Sequence, residues 1–173
     1  VYGGSNNSTA KNTNVTFAGN AGATMVYGGG SGANSYVSER TQVNVLGGNM
    51  MGIYGGSTNG SAKETNVTIT GGTIEQVFGG NESSSLTGDT HVNVLGGTVT
   101  RRIFGGCYNE YGRNGSSIVW ANTGNHVIGT SNVTIGKDAK ITLSYTSDGG
   151  YDVGVAATSR TNQNYFDEVA NII

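Results

Sequence analysis

Proline is absent from all 173 residues, and the chain holds one cysteine, one tryptophan and only 12% charged residues. Each scarcity excludes something. Proline removes a ladder hydrogen bond and is confined to sheet edges and bulges, so its absence suits a fold whose strands are paired on both sides. A lone cysteine, Cys107, rules out an internal disulfide framework and a multi-cysteine metal site. It reads as an inert small side chain in preference to a reactive or oligomer-linking thiol. The formal net charge is −2, with both signs scattered along the chain. Nucleic-acid binding calls for a basic stripe, and none is present. No apolar run approaches the roughly 20 residues that span a bilayer, so this segment is not expected to insert into a membrane.

What is present is glycine, 31 residues of it, placed with a period. Five times the chain writes an aliphatic, an aromatic and two glycines: Val1-Tyr2-Gly3-Gly4, Val26-Tyr27-Gly28-Gly29, Ile53-Tyr54-Gly55-Gly56, Val77-Phe78-Gly79-Gly80 and Ile103-Phe104-Gly105-Gly106. The start-to-start spacings of 25, 27, 24 and 26 residues mark a stacked repeat. Between these phrases runs a second line, at Thr13–Phe17, Thr41–Val45, Thr65–Ile69, Thr90–Val94 and Ser131–Ile135. Thr41, Val43 and Val45 alternate with Gln42 and Asn44, the period of a half-buried strand. The valines are expected inside, and the Asn, Thr, Gln and His residues between them outside.

Glycine follows every such strand, at Gly19, Gly47-Gly48, Gly71-Gly72, Gly96-Gly97 and Gly136, as a sharp corner requires. Beyond the corner, Met50 and Ile53, or Ile74 and Val77, stand three apart. That spacing does not suit one straight strand and predicts a second corner or a bulge. Three short sides then make a rung of about 25 residues, and stacked rungs make a parallel β-helix. Only 35% of residues are hydrophobic, which is enough for a solenoid, because each coil buries a thin interior against its neighbours. The expectation is an all-β, right-handed parallel β-helix of about five rungs over residues 1–143, with a C-terminal cap over 144–173. Phe166, Val169, Ala170 and Ile173 form the stripe of a short amphipathic helix, with Asn162 or Asn164 as its N-cap. The chain begins inside a repeat at Val1, so an upstream segment and a larger parent chain are expected.

The alternation of Val-Tyr-Gly-Gly with Thr-x-Val-x-Val-x-Gly-Gly over residues 1–136 resembles the glycine-rich β-helical repeats of bacterial cell-surface and adhesin-like proteins. The resemblance implies a secreted or wall-associated protein that binds or scaffolds, with a glycan or a host protein as partner. It brings no catalytic residues with it. The β-helix is shared by pectin lyases, polygalacturonases and tailspikes, so the shape alone does not fix function.

One repeat is interrupted. The distance from phrase to strand grows to 28 residues between Ile103 and Ser131, against 12, 15, 12 and 13 elsewhere. The extra residues, 108–129, form an inserted loop holding Tyr108, Glu110, Tyr111, Arg113, Trp120 and His126. Aromatic faces beside planar hydrogen-bonding groups serve carbohydrate or protein recognition, and loops that break a regular scaffold often carry function. The plain alternative is a loop folded over the solenoid side with Trp120 plugging a gap. The column Tyr2, Tyr27, Tyr54, Phe78 and Phe104 reads as packing in preference to a sugar-binding ladder, because the last two members lose the hydroxyl. The outward strand positions, from Asn14 and Thr16 to Asn132 and Thr134, read as solvated ladders; Gln42 and His91 break the uniform array an ice-binding surface would present. Arg40, Glu64 and Asp89 share one register and read as a surface ion pair, with a cation between the acids as the rival. Glycosidases and lyases need clustered acids, and the 11 acids here are scattered. No catalytic residue, metal site or cofactor is therefore expected. A β-helix polysaccharide lyase or hydrolase and an ice-binding solenoid are the competing readings.

Overall fold

The computed structural model describes residues 1–108, 112–114, 117–119, 127–141 and 153–154. Three repeats each give two strands: β1 (Thr9–Phe17) and β2 (Gly22–Tyr27), β3 (Tyr36–Val45) and β4 (Asn49–Tyr54), β5 (Ser61–Ile69) and β6 (Thr73–Phe78). The fourth divides its first strand into β7 (Leu86–Thr87) and β8 (Asp89–Val94), followed by β9 (Thr98–Phe104). The insertion contains β10 (Gly112–Asn114) and β11 (Ser117–Val119). The chain continues through β12 (Val127–Ile128), β13 (Ser131–Ile135), β14 (Lys140–Ile141) and β15 (Val153–Gly154).

Strands β1, β3, β5, β8 and β13 stack in that order as one parallel sheet. Strands β2, β4, β6, β9 and β14 stack as a second, and β15 also pairs with β9 in parallel. The molecule is an all-β solenoid of about four turns, where about five rungs were expected. The difference lies in the fifth repeat, which supplies β13 and β14 but closes no further coil among the described residues. No helix occurs among those residues. The expected helix at 166–173 lies outside them, while β15 extends the second sheet within the segment expected as a cap.

The inward parity is as the period predicts. Val43, Val45, Val67, Ile69, Val92 and Val94 are fully buried and meet Val26, Ile53, Ile74, Val77, Val99 and Ile103 of the second sheet. Each such side chain contributes about 1.5–3 kcal/mol by leaving water. β-branched residues suit this role because their restricted rotamers pack against the equivalent residue one rung away. At the corner between sheets, Gly48, Gly72 and Gly97 adopt φ of +97°, +88° and +76°. A Cβ at Gly48 would fall 2.0 Å from the Ala21 carbonyl oxygen, so this corner excludes side chains on two grounds.

The three-residue apolar spacing falls within one continuous strand and is not a corner; β2, β4 and β6 stay in register across it, and a bulge in the pairing occurs only between β6 and β9. Pairing runs through Ala23, Met50, Ile74 and Val99, skips Thr24, Met51 and Glu75, and resumes at Met25, Gly52, Gln76 and Arg102. In β9 the skipped stretch is one residue longer. The third side lies elsewhere, in the segment after the paired glycines. There Val37, Ala62, Leu86 and Cys107 form a small buried column with Val127 packed against it.

Polar groups inside the coil are matched systematically. Thr13, Thr41, Thr65 and Thr90 donate their hydroxyls across the interior to the carbonyl oxygens of Gly28, Gly55, Gly79 and Gly105, at 2.5–2.6 Å. After the paired glycines a second ladder climbs from rung to rung. The Gly30 N–H donates to Ser57 Oγ, the Ser57 N–H to Asn81 Oδ1, and the Asn81 N–H to Cys107 Sγ. Among the described residues no buried side-chain nitrogen or oxygen lacks a partner.

Candidate functional site

The insertion leaves the coil at Tyr108 and returns at β12, where Val127 pairs with Leu86 and Ile128 with Thr87. The Tyr108 N–H donates to the Asn81 carbonyl oxygen at 2.8 Å. Its half-buried ring stands edge-on to Phe78, 5.2 Å between centroids and 88° between planes, and edge-on to Tyr54 at 6.3 Å. Tyr108 thus packs at the root of the insertion. Arg113 lies in β10, which pairs antiparallel with β11 through Arg113 and Ile118. Glu110, Tyr111, Trp120 and His126 lie outside the described residues.

The aromatic column is a stack. Tyr2, Tyr27, Tyr54, Phe78 and Phe104 follow one another at 4.7, 5.1, 5.1 and 5.5 Å, with planes within 20°. Tyr27, Tyr54, Phe78 and Phe104 are buried, and only Tyr2 presents much of its ring to solvent. The Tyr27 hydroxyl donates to a Glu82 carboxylate oxygen at 2.8 Å. Burial, then this carboxylate, pushes the Tyr27 phenol well above its ordinary range, and burial does the same to Tyr54. A buried stack offers no platform for a sugar ring.

The outer face of the first sheet carries two in-register columns. One is Asn14, Gln42, Asn66, His91 and Asn132; the other is Thr16, Asn44, Thr68, Asn93 and Thr134. Many of these side chains bond to one another or to neighbours. Gln42 Nε2 donates to Asn44 Oδ1 at 3.0 Å, Asn44 Nδ2 to Asn14 Oδ1 at 3.0 Å, and Asn66 Nδ2 to Glu64 Oε1 at 2.6 Å. Asn132 Nδ2 and His91 Nδ1 lie 3.4 Å apart.

Arg40, Glu64 and Asp89 are register partners, as their sequence positions predict. The expected Arg40–Glu64 ion pair is not among the salt bridges of the described residues. Glu64 accepts from Asn66, and Asp89 Oδ1 accepts from the Thr130 N–H at 2.8 Å. The ion pairs formed are Lys11–Glu39 at 3.2 Å and Arg101–Glu75 at 2.8 Å. Exposed pairs of this kind contribute about 0–1 kcal/mol. Among the described residues no three His, Cys, Asp or Glu side chains converge as a metal site would need. Burial pushes the Cys107 thiol up to about 11, so it carries little thiolate at neutral pH.

One surface feature escaped sequence reasoning. An open groove of about 610 Å³ crosses four rungs along the line where the second sheet's pairing skips, lined by Thr24, Asn49, Met51, Thr73, Glu75 and Thr100. The three-residue spacing was its only sequence signal, since it marks the skipped residue whose side chain turns outward. No family model, no curated protein and no solved structure matches the chain.

Proposed function

We propose that this chain is a non-catalytic binding or scaffolding module of a bacterial surface protein, displayed outside the cell and directed at a glycan or a host protein. The observation that carries the reading is the architecture itself. An in-register solenoid with satisfied interior polar groups is a rigid scaffold, and the one long insertion leaves it between β9 and β12. We take the coil to be right-handed, since parallel crossover connections are so in about 98% of cases. The resemblance of the repeat to cell-surface β-helical sequences supports the location.

The contact is assigned to the insertion, through Tyr108, Glu110, Tyr111, Arg113, Trp120 and His126. Aromatic and arginine anchors carry a disproportionate share of binding energy. Glycan and host-protein arrays probed with the full chain and with a variant lacking 109–126 test this. Binding by the full chain alone supports it, and equal binding by both moves the contact to the rod. Reproducible cleavage of a polysaccharide, lost on replacing one acid, would replace the reading with a lyase or hydrolase. Thermal hysteresis in dilute solution would replace it with an ice-binding solenoid.

A further inference from the structure

Between the paired glycines Gly55-Gly56 and β5, the backbone is hydrogen-bonded on either side of one peptide group. The Thr58 N–H donates to the Gly30 carbonyl oxygen at 3.1 Å, and the Thr58 carbonyl oxygen accepts from the Ser83 N–H at 2.8 Å. The Gly60 carbonyl oxygen accepts from Asn81 Nδ2 at 2.9 Å and from Ser84 Oγ at 3.1 Å. The Ser61 N–H donates to the Ser35 carbonyl oxygen at 3.0 Å. In between, the Asn59 carbonyl oxygen and the Gly60 N–H take part in no hydrogen bond, and neither does the exposed Asn59 carboxamide. Asn59-Gly60 is the only Asn-Gly pair within the described residues. After Asn20 and Asn34 the next N–H is engaged, Ala21 with the Ala18 carbonyl and Ser35 with that of Gly32.

We infer that Asn59 is a site of spontaneous covalent modification, losing its side-chain amide to become aspartate or isoaspartate. The Gly60 backbone nitrogen attacks Asn59 Cγ, and the new N–Cγ bond closes a five-membered succinimide. The Cγ–Nδ2 bond breaks, and ammonia leaves with the Gly60 amide proton. Water then opens the ring, at Cγ to give aspartate or at the backbone carbonyl carbon to give isoaspartate. One water is consumed and one ammonia released, with no oxidant or enzyme required. The nucleophile is one peptide unit from its electrophile, so its effective concentration is high. Ring closure turns the Asn59–Gly60 peptide group, and no hydrogen bond breaks when it does. Glycine brings no Cβ to shield its nitrogen. Its burial is against Ser35, while the Asn59 carboxamide stands in water.

Isoaspartate carries a consequence that aspartate does not. It adds a methylene to the backbone immediately before Gly60, where a Cβ would already collide with Ser35 Oγ. The Gly60 carbonyl is an acceptor for Asn81, whose Oδ1 also receives the Ser57 N–H. Displacing it leaves buried groups without partners. Aspartate keeps the backbone length and adds only an exposed charge.

The inference is independent of the binding-module reading. Its test holds the folded full chain in mildly alkaline buffer at physiological temperature and follows each asparagine by peptide mapping, with isoaspartate read by enzymatic methylation. Asn59 is expected to convert about tenfold faster, or more, than any other asparagine among the described residues. The isoaspartate form, separated by chromatography, is expected to have a lower urea midpoint than the fresh protein. Asn59→Asp, which brings the charge without the methylene, is expected to keep the original midpoint, and Asn59→Ser to keep it through the whole incubation. An Asn59 that stays intact in the folded chain but converts in urea overturns the inference, because the fold then protects that peptide group. Conversion no faster than at the other asparagines overturns it as well. An isoaspartate form with an unchanged midpoint overturns the link to the Asn81 network.

Discussion

Thr65 Oγ1 donates to the carbonyl oxygen of Gly79 at 2.5 Å, tying the start of one strand to the turn that closes the same coil. Thr13, Thr41 and Thr90 make the same bond in their own coils. A Cβ at Gly79 would lie 3.0 Å from the Thr90 Cβ and 2.3 Å from the Gly105 carbonyl oxygen. The turn therefore approaches the next rung too closely for any side chain, and the threonine hydroxyl satisfies a carbonyl that water cannot reach.

Thr65→Val keeps the shape of the side chain and removes the donor. The stranded Gly79 carbonyl should cost about 1–3 kcal/mol, read as a lower urea midpoint at unchanged m-value. Thr65→Ser retains the hydroxyl and should lose about 1 kcal/mol from the missing methyl. Equal losses in the two variants would show that the hydrogen bond contributes nothing.

Val67 is fully buried between Val43 and Val92 of adjacent rungs. Val67→Asp places a carboxylate there with no partner and should abolish folding, seen as loss of the β-sheet circular dichroism signal. Thr68→Asp, one residue on and facing outward, should change stability by no more than about 1 kcal/mol.

Gly19 and Gly48 both have positive φ, but only Gly48 is crowded, since nothing lies within 4 Å of a Cβ at Gly19. Gly19→Ala should cost about 1–2 kcal/mol from backbone conformation alone. Gly48→Ala adds the collision with Ala21 and should cost measurably more. Thermal melts of the two variants side by side would show the gap, and a reversed order would contradict the corner geometry.

Alkaline destabilisation should begin near pH 9. The Cys107 thiol is pushed by burial from an ordinary value of 9.0 up to about 11. Its stabilising contribution is complete below pH 9 and declines as pH rises to about 11, because the unfolded chain releases the proton first. The effect is on the order of 3 kcal/mol. Tyr27 and Tyr54, raised in the same direction, extend the decline above pH 10. Denaturation midpoints across pH 7–11 should fall, and Cys107→Ala should flatten the portion between 9 and 11.

The repeat was legible because its physics is local. Alternation at Thr41, Val43 and Val45 needs only the two-residue period of a strand, and Gly48 announces a corner because few residues tolerate its φ. The same stacking made Arg40, Glu64 and Asp89 register partners by counting alone. The third side was misplaced because one buried residue per rung, such as Val37 or Ala62, shows no period within a single polar segment. Of the six insertion residues singled out, the structure gives a full side-chain setting to Tyr108 alone, and there it packs on Phe78 and Tyr54.

By itself, the sequence of this protein determined that it coils, which residues of the Thr-x-Val-x-Val strands face inward and where the glycine corner after each strand falls, since each depends on neighbours a few positions apart. Tertiary structure alone decided the rest. Whether the Met50–Ile53 spacing is a corner or runs within one strand depends on the strands pairing across rungs. Asn81 joins Ser57, Gly60 and Cys107 in one buried network, because stacking brings segments 21–26 residues apart into hydrogen-bonding distance. No local pattern encodes such a meeting, which is a property of the stack and not of any single rung.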